Sequence, residues 1–142
     1  MKSDEKQYMT AGKNSVTFQK SRVFARRIVR LCQWLRNEKN EYTLSDQLKR
    51  SGTSIGANLA ESLYAASRSD FSNKIQISLK ECSETIYWIE LLYDTDYITE
   101  EMFDSLMGDC SELLRLLTSS SRTSREHAES IKKQKKPLFT NH

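Results

Sequence analysis

The sequence predicts an all-α protein, an antiparallel up-down-up-down four-helix bundle spanning residues 15–120. Three observations point there. Glycine occurs 4 times and proline once in 142 residues, too few for the many turns of a β-sandwich or barrel. Several long segments repeat apolar residues at three- and four-residue steps, the period of a helix with one buried face. The polar stretches between them are short, which makes successive helices antiparallel neighbours.

The first helix is expected from about Ser15 to Glu38, with Phe24, Ile28, Leu31 and Leu35 as its buried stripe. The second is expected from about Ser45 to Ala66, with Thr43 and Ser45 as hydroxyl caps and Asp46 in its first turn. Its middle is small: Ser51, Gly52, Ser54, Gly56, Ala57 and Ala60. Each glycine costs a helix about 1 kcal/mol against alanine, so a closely packed neighbour is implied. The third starts at Ser69 or Asp70 and runs to about Tyr93, carrying Phe71, Ile75, Leu79, Cys82, Ile86 and Ile89 inward. The fourth starts at Thr99, with Ile98 and Phe103 spaced for a hydrophobic staple, and is expected to end in the run Ser119-Ser120-Ser121. Residues 1–14 are expected to be flexible and residues 121–142 to form a basic, disordered tail. Trp34, Trp88, Leu91, Leu92 and Leu114 exceed what one four-helix core needs and are candidates for a subunit interface.

Charge is unevenly spread. Residues 13–50 carry ten Lys and Arg against three acids, residues 51–120 four against twelve, and residues 121–142 six against two. Such a division serves an anionic partner, or pairs one subunit with the next.

The two histidines, His127 and His142, lie near the C-terminus, which leaves the helical body without the commonest general base and metal ligand. No Glu-x-x-His pair of a di-iron bundle occurs, and Ser54 has no histidine to activate it. The chain is therefore read as non-enzymatic, with no cofactor and no metal. Cys32, Cys82 and Cys110 are odd in number and widely spaced, as expected of buried thiols in a reducing, cytoplasmic compartment. No stretch is apolar for long enough to suggest a membrane partner.

One block is specific. Gln47, Arg50, Ser54, Ile55, Ala57, Asn58, Ala60 and Glu61 fill the pattern Gln-x-x-Arg-(Ala/Ser)-x-x-Ser-Ile-x-Ala-Asn-Ile-Ala-Glu, with Leu59 in place of the second isoleucine. Phe71, the step Ser78-Leu79-Lys80-Glu81 (or Ser83-Glu84) and Leu91-Leu92-Tyr93 follow in the expected order. In these features the chain, over about residues 16–118, resembles the bacterial four-helix-bundle family encoded in intervening sequences of large-subunit (23S) ribosomal RNA genes. The resemblance implies a left-handed bundle that assembles into a ring, a homopentamer. It implies no established biochemical activity. Relatives include accessory proteins of diversity-generating retroelements, which bind a reverse transcriptase and nucleic acid, so RNA, DNA or such a protein partner is implied by analogy.

Candidate sites follow. Arg22, Arg26, Arg27, Arg30 and Arg36 form a candidate phosphate-binding face, because no acid lies between Lys13 and Arg36 and guanidinium suits bidentate phosphate contact. A solvated face, or pairing with a neighbouring subunit's acids, is the other reading. Lys132, Lys133, Lys135 and Lys136 are a candidate nucleic-acid arm, or a solubilising terminus. Arg50, Ser54, Asn58 and Glu61 are read as a structural network that fixes helix register. The functional expectation is a self-assembling bundle that binds structured RNA through basic surfaces; the alternative is an oligomeric scaffold for a protein partner such as a reverse transcriptase.

Overall fold

A computed structural model describes residues 15–134. Within them the chain forms α1 (Val16–Lys39), α2 (Thr43–Ser62), α3 (Arg68–Asp94) and α4 (Glu100–Gln134), and no strand. Each helix packs on the next and α4 returns to α1, the latter seam being the slightest of the four. Cross-helix bonds run antiparallel throughout: Arg36 meets Asp46, Arg50 meets Glu84 while Glu61 meets Lys74, and Arg27 meets Asp109 while Lys20 meets Glu112. This is the expected four-helix bundle. The expected flexible segment 1–14, and Lys135 and Lys136 of the tail, lie outside the described residues.

Local chemistry sets the boundaries. Ser15 Oγ accepts from Phe18 N at 3.1 Å and starts α1. Asn40 ends it with φ of 52°, a left-handed conformation asparagine tolerates. The start of α2 is capped by Glu41 in place of the expected Thr43 or Ser45 hydroxyl. Its buried carboxylate accepts from Leu44 N at 2.5 Å, at a helix N-terminus that favours negative charge. α2 stops at Ser62, four residues before the expected Ala66. The intervening turn lets Ser67, not Ser69 or Asp70, cap α3: Ser67 Oγ accepts from Asp70 N while Asp70 Oδ2 accepts from Ala66 N, both at 3.1 Å. Thr99 Oγ1 caps α4, accepting from Met102 N at 3.2 Å. Phe103 stacks on Tyr93 with ring centroids 4.4 Å apart, tying α4 to α3.

α4 passes through the serine run instead of ending there. Ser121 is buried and hydrogen-bonds the Gln76 amide of α3, so the small residue marks a close helix contact, not a break. The helix then continues to Gln134, which makes residues 122–134 helical in place of the expected disordered tail.

The core is built from the expected stripes. Phe24, Ile28, Leu35, Leu48, Ile55 and Leu117 are essentially sealed from solvent, each worth roughly 1.5–3 kcal/mol of burial. The small face of α2 explains itself at two positions. A Cβ on Gly52 would stand 2.9 Å from Cγ2 of Ile28, and one on Gly56 would stand 3.1 Å from Ser21 Oγ. On the other side of α2, Thr85 Oγ1 bonds Ser51 Oγ at 3.0 Å and Ser78 Oγ donates to Ile55 O at 2.9 Å. Short hydroxyls therefore satisfy themselves inside the bundle while letting the backbones approach.

One interface expectation fails. Leu92 is wholly buried, like Ile89 beside it, because α3 packs against both α2 and α4 and so needs a wider apolar face than a single stripe. Trp34, Trp88, Leu91 and Leu114 are half-buried.

Candidate nucleic-acid interface

α1 carries its positive charge on two different surfaces. Arg27 turns toward α4, where its guanidinium binds Asp109 Oδ2 at 2.7 Å and Ser105 Oγ at 2.6 Å. Arg36 binds Asp46 Oδ1 at 2.8 Å and lies over the Tyr42 ring. These two arginines, expected to be free for phosphate, are thus engaged within the chain, and so is Lys20 on Glu112 at 2.5 Å. That ion pair holds the Glu112 carboxyl below its ordinary range. The partners were invisible along α1 itself because they sit on other helices.

Arg22, Arg26 and Arg30 differ. They recur every four residues, about 6 Å apart along the helix axis, on the face turned away from the core. All three are exposed, and none forms a salt bridge among the described residues. Arg22 also lies 6.0 Å from the centroid of Phe18. Val16 and Val23, each more than half exposed, flank this strip. Lys132 and Lys133 lie far along α4, in its last turn, and both are exposed.

The segment between Lys80 and Arg115 carries ten acids and no base. Glu84, Asp109 and Glu112 answer cations within the chain. Glu90, Asp94, Asp96, Glu100, Glu101 and Asp104 are exposed around the α3–α4 turn, without a salt bridge among the described residues. The protein therefore has a cationic α1 strip and an anionic hairpin end.

The motif residues sit at the α2–α3 seam. Arg50 binds Glu84 Oε1 at 2.8 Å and Glu61 binds Lys74 at 2.7 Å, two pins that fix the register of the helices. The Glu61 carboxylate raises the Lys74 pKa by accepting its hydrogen bond. Ser54 and Asn58 act differently: each donates to a carbonyl four residues back in α2, to Arg50 O at 2.5 Å and Ser54 O at 2.8 Å. Beside Arg50 lies Glu81, which the sequence offered only as the acid of the Ser-x-x-Glu step. Glu81 has one carboxyl oxygen, Oε2, buried without a hydrogen-bond partner among the described residues. Burial, then the neighbouring Glu84 carboxylate, push its pKa up, and Arg50 opposes them. Glu84 also accepts from Trp88 Nε1 at 3.3 Å.

On α4, Ser111, Leu114, Arg115, Thr118, Ser119 and Arg122 share one face of the helix surface. The i, i+4, i+7 spacing from Ser111 to Thr118 was the available signal for this shared face, but only Leu114 was singled out from sequence. The three thiols are buried; burial pushes Cys82 up to about 11 and raises Cys32 and Cys110 as well. Among the described residues, no three His, Cys, Asp or Glu side chains gather as a metal site, and no helix is long and apolar enough to cross a membrane.

The model of one family, described as 23S rRNA-intervening sequence protein, matches residues 13–119. A solved structure from Bacteroides thetaiotaomicron, a protein of unknown function from the S23 ribosomal protein family, is 51% identical. Its match covers 75% of this chain and 98% of that one, with a TM-score of 0.74. No curated protein matches the chain.

Proposed function

Because the chain belongs to the 23S rRNA-intervening sequence protein family, we propose that it is a non-enzymatic, self-assembling bundle that holds structured RNA by its phosphates. The carrying observation is the strip Arg22, Arg26 and Arg30, exposed and without salt bridges among the described residues. Three guanidinium groups at regular steps suit phosphate contact, which needs charge and reach but no base reading. Lys132 and Lys133, in the last turn of α4, add a second, separate basic pair. In an oligomer the strip repeats, so weak contacts add through multivalency. The assembly in this reading is the family-type homopentamer in the cytoplasm, with half-buried Trp34, Trp88, Leu91 and Leu114 at subunit contacts.

The test is RNA binding by fluorescence anisotropy across a salt series. The triple variant Arg22→Glu/Arg26→Glu/Arg30→Glu is expected to bind at least about tenfold more weakly, with a shallower salt slope by about one per lost phosphate contact. Unchanged affinity in a folded variant sinks the reading. A second reading rests on the same half-exposed apolar side chains: a scaffold for a protein partner such as a reverse transcriptase. Docking of that kind persists in high salt, where phosphate binding fades.

A further inference from the structure

The arginine strip of α1 has an aromatic ring at each end. Phe18, Arg22, Arg26, Arg30 and Trp34 follow one another at four-residue steps. The row rises about 24 Å along the helix and turns about 40° with each step, so it crosses the outer face obliquely. Both rings are half-buried, packed on the core along one part and open along the rest. Each has a cation beside it: the Arg22 guanidinium lies 6.0 Å from the Phe18 centroid, and the Lys39 ammonium 5.5 Å from that of Trp34. α1 carries no acid before Glu38. Phosphate contact accounts for the three arginines but gives no role to the rings, nor to Val23, more than half exposed beside Arg22 and Arg26. A ring already held by the core meets a ligand at little cost in conformational entropy.

We propose that this row binds an unpaired stretch of RNA, with its phosphates on Arg22, Arg26 and Arg30 and its bases stacked on Phe18 and Trp34. The inference rests on the RNA reading above and adds where the bases go. Stacking needs a free base face, which a duplex keeps inside its own stack, so the row selects an unpaired strand. Every base has such a face, so the selection is for strandedness and not for sequence. At a stacked rise of about 3.4 Å per nucleotide the row spans about seven nucleotides. Trp34 then faces RNA, and the subunit contacts are left to Trp88, Leu91 and Leu114.

Fluorescence anisotropy of the full chain compares an oligouridine of about 12 nucleotides, which does not pair with itself, with the same strand annealed to oligoadenosine. The single strand is expected to bind at least about tenfold more tightly than the duplex, and Phe18→Leu and Trp34→Leu each to lose about tenfold on the single strand. Neither ring change should alter the salt slope, because no phosphate contact is lost, and Trp34→Phe should keep most of the affinity. Trp88→Phe leaves Trp34 as the sole tryptophan, and its emission is expected to be quenched as oligouridine binds. Circular dichroism and native mass accompany each variant. A wild-type chain that binds neither RNA overturns the phosphate reading together with this one. Affinity for the duplex equal to or above that for the single strand, folded ring variants that bind as the wild type does, or Trp34 emission unchanged at saturation overturns this inference alone. Trp34→Leu that loses RNA and subunits together assigns the ring to a subunit contact and also overturns it.

Discussion

Gly52 and Ile28 meet so closely that the space for a methyl group is already taken, with a built Cβ only 2.9 Å from Cγ2. Gly52→Ala would raise helix propensity by about 1 kcal/mol if nothing else changed. Overpacking typically costs about 1–3 kcal/mol and here is expected to win. A lower thermal midpoint is the predicted result, and a higher one would show that Ile28 can move aside. Glu81 gives a prediction of the opposite sign. Its raised carboxyl pKa means that the protonated form favours the folded state. The stabilisation is therefore complete below the unfolded carboxyl value and is lost as pH rises through the folded one. Glu81→Gln keeps the neutral shape, so the melting temperature near pH 8 should rise and that near pH 4 should stay put. An equal change at both pH values would rule out ionisation as the cause.

Helix ends and faces are where sequence and structure part. The α1 stripe was legible because that helix buries one narrow face, Phe24 to Leu35. α3 buries residues against two neighbours, and a one-stripe count therefore misassigned Leu92 to the surface. Leu92→Ala is expected to cost about 2–5 kcal/mol in a denaturant titration. Leu91→Ala, at a half-buried site, should cost far less, and equal costs would contradict this division of the α3 face. Capping by Glu41 was hidden because the favoured caps are short side chains at the cap position itself, whereas this longer carboxylate reaches Leu44 N and Ser45 N from one residue before it. Glu41→Ala should lower stability by about 1 kcal/mol, read from the urea midpoint, and no shift would mean that the first turn of α2 is held by packing alone. The Ser119–Ser121 run misled for a related reason: the partner of buried Ser121 is on another helix, Gln76, 45 residues away.

For the whole molecule, the legible part was the bundle and the charge imbalance; the missing part was which charges cancel. Arg27 and Asp109 are 82 residues apart, so no local window relates them. Once they are paired, the positive surface narrows from five arginines of α1 to Arg22, Arg26 and Arg30. The motif around Asn58 divides in the same way. Its two charged members pin α2 to α3, whereas Ser54 and Asn58 bond within α2.

The slight, charged seam between α1 and α4 also bears on the order in which the bundle forms. The α1–α2, α2–α3 and α3–α4 pairs each join consecutive helices across a short turn, whereas α1 and α4 must find each other across the length of the chain. Local hairpins close early and distant contacts late, so this seam belongs on the native side of the folding barrier. Arg27→Ala should consequently leave the refolding limb of a chevron plot where it is and raise the unfolding limb, by an amount set by an exposed pair worth about 0.2–1 kcal/mol. A slower refolding rate would instead mean that α4 docks on α1 before the rate-limiting step, and that the two chain ends meet first.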